Sequence, residues 1–156
     1  MPGRTRDPLD DKEIIIRVGL VDQTRYDVIS AAAFAMSEIE RKRPWKRISA
    51  WAKSLTTDEQ AVQLVANPDR KVIVKLRVEN VRQIAIQQKS PLDAVWDQLP
   101  SCIDESGTRM VGYVEGCEGH CAITGIDGGS PAFRKQIRRR LADLGSQNFY
   151  IFRDGV

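Results

Sequence analysis

The chain has one histidine, three cysteines and no apolar run approaching the roughly 20 residues that a membrane-crossing helix needs. A lone imidazole confines any histidine base to His120 and gives no basis for a Ser, His, Asp arrangement. The acidic residues Asp22, Asp27, Glu38 and Glu40 repeat at no spacing that converges carboxylates, since on a helix Glu38 and Glu40 would stand about 200° apart. The opening, MPGRTRDPLDDK, lacks the apolar core of a signal peptide, so a cytoplasmic location is expected. In such a chain an odd cysteine count favours reduced thiols or a metal site over a disulfide framework. Enzymatic chemistry finds little support in these residues, and neither a catalytic residue nor a cofactor is expected.

What is present bounds the rest. At 156 residues, 42% of them hydrophobic, the chain can bury one good core. Its 24 Lys and Arg against 21 Asp and Glu leave a formal charge of +3, which permits a polyanionic partner without requiring one. Residues 1–12, rich in proline and charge, are expected to be a flexible tail ahead of a single domain over 13–156. Glu13 to Leu20 alternates as a strand with one well-buried face. Val28, Ile29, Ala32, Ala33, Met36 and Ile39 then predict an amphipathic helix, ending in Arg41-Lys42-Arg43. Residues 45–55 read as a helical turn or two, and Thr57, with Glu59 and Gln60 following, starts a short helix that ends near Asn67-Pro68.

Lys71 to Val78 is a second alternating strand. Asn80 to Leu99 reads as helix in two pieces, restarted at Ser90-Pro91, with a strand over Val81 to Ile86 as the competing reading. Met110–Glu115 and Cys121–Ile126 form a hairpin about the turn-rich segment 116–120, Ser130-Pro131 opens a last helix that Gly145 stops, and Asn148 to Phe152 closes the chain as a strand. The predicted fold class is α+β. In element order alone, residues 70–156 resemble the βαββαβ sandwich of ferredoxin-like domains, with 13–69 adding a β-α-α extension whose strand lies at a sheet edge. The aromatic-rich strands of an RNA-recognition motif are missing, because the corresponding positions are Ile73, Lys75, Arg77, Ala122 and Thr124.

Two basic runs stand out. Arg41, Lys42, Arg43, Lys46, Arg47 and Lys53 lie in a stretch without an acidic residue, interleaved with Trp45 and Trp51, and Arg134, Lys135, Arg138, Arg139 and Arg140 occupy the last helix. Cations so grouped bind phosphates by releasing counterions, and an indole can stack on an unpaired base; the alternative is a solvated surface with both tryptophans in the core. The run from Arg41 to Arg47 is expected to be exposed, since burying unpaired charge costs several kcal/mol per ion.

Weaker candidates are an anion site at Gly128, Gly129, Ser130 and Arg134, where a glycine loop meets a helix start, and a metal site at Cys117, His120 and Cys121. The loop matches neither the dinucleotide fingerprint nor the P-loop, and Asp127 sits within it. Three clustered ligands fall short of a structural zinc site, so Cys117 and Cys121 are expected to be free thiols and no metal is expected. The function these features favour is a non-enzymatic DNA- or RNA-binding or regulatory protein, contacting phosphates through Arg41, Lys42, Arg43, Lys46, Arg47, Lys135, Arg138 and Arg139. The competing function is a protein-interaction or dimerisation module, and a small-ligand protein using the Gly125–Ser130 loop and the Cys117, His120, Cys121 hairpin comes third. No membrane partner is expected.

Overall fold

The protein is described from a computed structural model over residues 5–25, 28–43, 45–65 and 67–153. It is an α+β fold. In chain order the elements are β1 (Ile14–Leu20), β2 (Thr24–Arg25), β3 (Val28–Ile29), a 3-10 turn (Ala31–Phe34), α1 (Glu38–Arg41), β4 (Ile48–Ala52), α2 (Asp58–Val65), β5 (Arg70–Arg77), α3 (Val78–Arg82), β6 (Asp93–Trp96), β7 (His120–Thr124), α4 (Pro131–Gly145) and β8 (Phe149–Ile151). Strands β2 and β3 make a two-stranded ribbon, and the other six form one sheet in the order β6-β7-β4-β1-β5-β8. Every adjacent pair in that sheet is antiparallel. No helix among the described residues is long and apolar enough to cross a membrane.

The sheet departs from the expected four strands because β1 and β4 occupy its centre. The first strand, expected at an edge with one buried face, is hydrogen-bonded on both sides and buries Ile15 and Ile16 in two different clusters. A central strand has no solvent face, so it reads as a continuous apolar run, and IIIRVGL is such a run. One face of the sheet carries α3, α4 and Phe34 against Ile15, Val72, Val74, Leu76, Ala94 and Ile123. The other carries α2 against Ile16, Val18, Trp51 and Ile73.

The expected helical turns over 45–55 are strand β4, whose Ala50 and Ala52 face the main core while Trp51 faces the second. The expected restart of helix at Ser90-Pro91 is β6, an edge strand paired to β7 over Asp93 to Trp96. Leu92, Val95, Trp96 and Leu99 fit a helical spacing, but pairing outweighs that local pattern. Met110–Glu115 is loop rather than strand, with Val111 fully exposed at 106%. Cys102 is bonded to Cys117, against the expectation of a free thiol, and this closes the long connection between β6 and β7 around a small cluster with Ile103, Leu99 and Tyr113. Of the tail expected over 1–12, residues 1–4 lie outside the described part. The following residues run along β6 through backbone bonds from Arg6 to Trp96, Leu9 to Ala94 and Trp96 to Asp7, with Leu9 buried, so this sheet edge is covered.

The helix expected over 28–39 is broken into β3, a 3-10 turn and α1. Arg17, alone among apolar neighbours in β1, explains the break. Arg17 is 5% exposed, and its guanidinium donates to the backbone carbonyls of Ala33 (3.0 Å), Ala35 (3.3 Å) and Ser49 (2.9 Å) and to both carboxylate oxygens of Glu40 (2.8 and 3.2 Å). Carbonyls held this way are drawn out of a helical ladder. Glu40 also accepts from the backbone amides of Ser37 and Ser49, and Ser37 Oγ accepts in return from Glu40 N, which makes a capping box at the start of α1. Burial alone raises the Glu40 pKa, but the charge of Arg17 and these hydrogen bonds outweigh it and bring the pKa from 4.5 down to about 2.

Candidate functional site

The two basic runs meet. Strand β4 begins just after the first run and pairs antiparallel with β7, Ile48 opposite Ile123, so the start of β4 lies beside the end of β7. From that end the loop 125–130 leads into α4 and the second run. Arg41 of α1 and Arg134 and Arg138 of α4 consequently line one open cavity of about 410 Å³, together with Ala35, Met36, Ile126 and Asp127. Arg134 and Arg138, four residues apart on one helix face, are half-buried, whereas Arg41 is exposed.

The helix presents this face for an elementary reason. Ile137 and Leu141 are fully buried with Phe133 and Leu144 packed beside them, which turns Lys135, Arg139 and Arg140 to solvent and leaves Arg134 and Arg138 at the margin. Ser130 accepts from the Phe133 amide as N-cap, and Pro131 occupies the first turn. Gly125 and Gly129 have φ of 88° and 75°. Any Cβ at Gly125 would lie 2.0 Å from the Pro91 carbonyl oxygen, so glycine is required there by a close backbone approach as well. Of the four residues in the anion reading of this loop, Arg134 lines the cavity and gives Nη1 to the Gly129 carbonyl at 2.6 Å, while the Ser130 hydroxyl is engaged as a cap.

The first run divides. Arg41, Lys42 and Lys46 are exposed, and the Lys46 ammonium donates to the Arg41 carbonyl. Arg47 is 7% exposed, so the expectation of an exposed run fails at this position. Its partner is Asp97, fifty residues away in sequence and next to β6, whose carboxylate accepts from Arg47 Nε at 2.8 Å and from Arg43 Nη1 at 3.4 Å. Arg47 also donates to the Trp45 carbonyl and lies 4.0 Å from the centre of the Trp45 ring, with Arg6 4.7 Å from the same ring. Trp45 is thus occupied by guanidinium groups. Trp51 is in the second core, its ring edge-on to His120.

Cys117, His120 and Cys121 are not brought together. Cys117 is in the disulfide, Cys121 lies in the main core, and His120 lies on the opposite side of β7 against Trp51. The His120 Nδ1 contacts the Asp97 backbone carbonyl at 2.7 Å, and since a carbonyl only accepts, Nδ1 carries the hydrogen. Burial lowers the His120 pKa, against the opposing pull of Asp97, and raises that of Cys121, so both sit in the core as neutral groups. Among the described residues no group of three or more His, Cys, Asp and Glu is placed to hold a metal ion.

Asp97 was not identifiable as a site residue from sequence, because it reaches the basic region from a distant element, and Met36 was readable only as part of an apolar stripe. The capping box Ser37 to Glu40 was a readable signal for α1, in the same form that Thr57 and Gln60 give α2. Comparison with protein-family models, curated proteins and solved structures found no match to this chain.

Proposed function

We propose that the protein is a non-enzymatic nucleic-acid-binding or regulatory module that holds phosphates in the cavity formed by Arg41, Arg134 and Arg138, flanked by exposed Lys42, Lys46, Lys135 and Arg139. The observation that carries this reading is the convergence of two basic runs, more than ninety residues apart, on one concave surface. Arg47 and Arg43 share the single Asp97 carboxylate, at 2.8 and 3.4 Å, and take a structural part. The framework is read as a ferredoxin-like arrangement: β5-α3-β6 and β7-α4-β8 supply its βαββαβ order, with β1 and β4 interleaved between β7 and β5. A cytoplasmic location belongs with this reading, and the Cys102–Cys117 bond weighs against it, because cytosolic thiols are kept reduced.

The test is a binding titration of DNA and RNA at several salt concentrations, with wild type and the Arg41→Gln, Arg138→Gln double variant. Loss of both phosphate contacts weakens binding and flattens the slope of log affinity against log salt by about 1 to 2. Equal affinity and slope in the two proteins would remove the cavity from the binding surface. A second reading rests on β8, the sheet's other edge strand, where Tyr150 and Ile151 are exposed at 40% and 37%. It predicts a dimer through that edge, seen by light scattering and absent in an Ile151→Lys variant.

A further inference from the structure

The cavity holds more than a phosphate site requires. Three arginines suffice for an anion, yet the lining also includes the apolar residues Ala35, Met36 and Ile126 and the acidic residue Asp127. A carboxylate among phosphate-binding arginines opposes a phosphate through like charge, so on the backbone-contact reading alone Asp127 is a liability. It is an asset if the occupant brings hydrogen-bond donors, and the exocyclic amino groups of cytosine, adenine and guanine are such donors. The volume of about 410 Å³ lies in the range of small-ligand sites and has room for a nucleobase beside its phosphate.

In a duplex these bases are stacked and paired, and the outer strands present sugar and phosphate to a recess of this shape. Only an unpaired nucleotide can turn its base inward. Resting on the phosphate-binding reading above, we infer that the cavity takes one unstacked, amino-bearing nucleotide of a single strand. Its phosphate lies on Arg41, Arg134 and Arg138, its base against Met36, and its amino edge on Asp127. The partner is therefore single-stranded nucleic acid with a preference for amino-bearing bases over thymine or uracil. Aromatic stacking by Trp45 is not needed, which suits an indole already occupied by Arg47 and Arg6.

Fluorescence anisotropy with labelled oligo(dC), oligo(dT) and a duplex of equal length, on the full chain, tests this. Wild type is expected to bind oligo(dC) about tenfold or more tighter than oligo(dT) and tighter than the duplex. Asp127→Asn supplies a donor as well as an acceptor at an exposed position and should abolish or reverse the dC over dT preference while leaving the fold intact. Met36→Ser should weaken single-strand binding without changing the salt slope, whereas Arg41→Gln with Arg138→Gln flattens that slope by about 1.4, as two single-strand phosphate contacts require. Equal binding of oligo(dC), oligo(dT) and duplex, all still sensitive to the arginine pair, overturns the inference and leaves the phosphate reading standing. Insensitivity of every oligonucleotide to the arginine pair overturns both.

Discussion

Replacing Glu40 with Gln isolates the buried ion pair that Arg17 of β1 makes with α1. In the native protein the carboxylate faces Arg17 at 2.8 Å, and Arg17 and Glu40 are 5% and 4% exposed, so water screens little of the interaction. The fall of the Glu40 pKa from 4.5 to about 2 corresponds to about 3 kcal/mol of stability. Because the folded value lies below the unfolded one, this stability is complete above pH 5 and is lost as pH falls toward 2. By pH 3 about 2 kcal/mol of it should be gone. The Gln variant keeps the shape and some of the hydrogen bonds but leaves Arg17 buried without a counter-charge. It should be less stable at pH 7 by about 3 kcal/mol.

Urea unfolding followed by tryptophan fluorescence at pH 7, 5 and 3 measures both quantities. The expected signature is convergence: the gap between wild type and Glu40→Gln narrows from about 3 to about 1 kcal/mol between pH 7 and pH 3. His120, whose pKa burial lowers, also draws stability down as pH falls, but it does so in both proteins and cancels in the difference. Parallel pH profiles, or a loss below about 1 kcal/mol at pH 7, would refute the reasoning. Replacing both residues with apolar ones should not restore stability here, although it does for many buried pairs, because the Ala33, Ala35 and Ser49 carbonyls would lose their donor at about 1 to 3 kcal/mol each.

Gly145→Ala should cost about 1 to 3 kcal/mol in the same assay despite the better helix propensity of alanine, since its Cβ would lie 2.6 Å from Val74 Cγ1 and 3.4 Å from Phe34 Cζ. A stabilised variant would show that the helix moves off the sheet without penalty. Reduction of the Cys102–Cys117 bond, which spans 15 residues, should lower stability by about 3 kcal/mol. In unfolded, unreduced protein a thiol reagent should label Cys121 alone, and labelling of all three cysteines would show that the bond is absent from the isolated protein.

The elements legible in the sequence are those whose signals are local. α4 has Ser130-Pro131 at its start and a clean apolar stripe, and α2 has its capping box, so both appear where their residues say. β4 and β6 were misread because their spacing also fits a helix and only pairing with β7 decides between the two. Gly145 was legible for the wrong reason. It is the last residue of α4 and lacks a positive φ, so glycine serves there to let the helix end approach Val74, a contact that composition does not reveal. The Cys102–Cys117 pair had no legible partner assignment either, because the fold of the intervening loop sets which thiols meet.

The basic residues follow the same division. Sequence identifies both runs but cannot say which charges remain available, because Asp97 reaches Arg43 and Arg47 only after β6 has been placed beside β7. The first run is divided by that one carboxylate: Arg43 and Arg47 are held in the fold, and Arg41 turns to the cavity. The step that joins Arg41 to Arg138 is the insertion of β4 between β7 and β1, since it brings the end of α1 and the start of α4 to one cavity. In a four-stranded sheet without β1 and β4 the second run would have no opposing cations, and α4 would present an ordinary solvated face. The strands that make the sheet depart from its expected order are therefore the ones that create the candidate site.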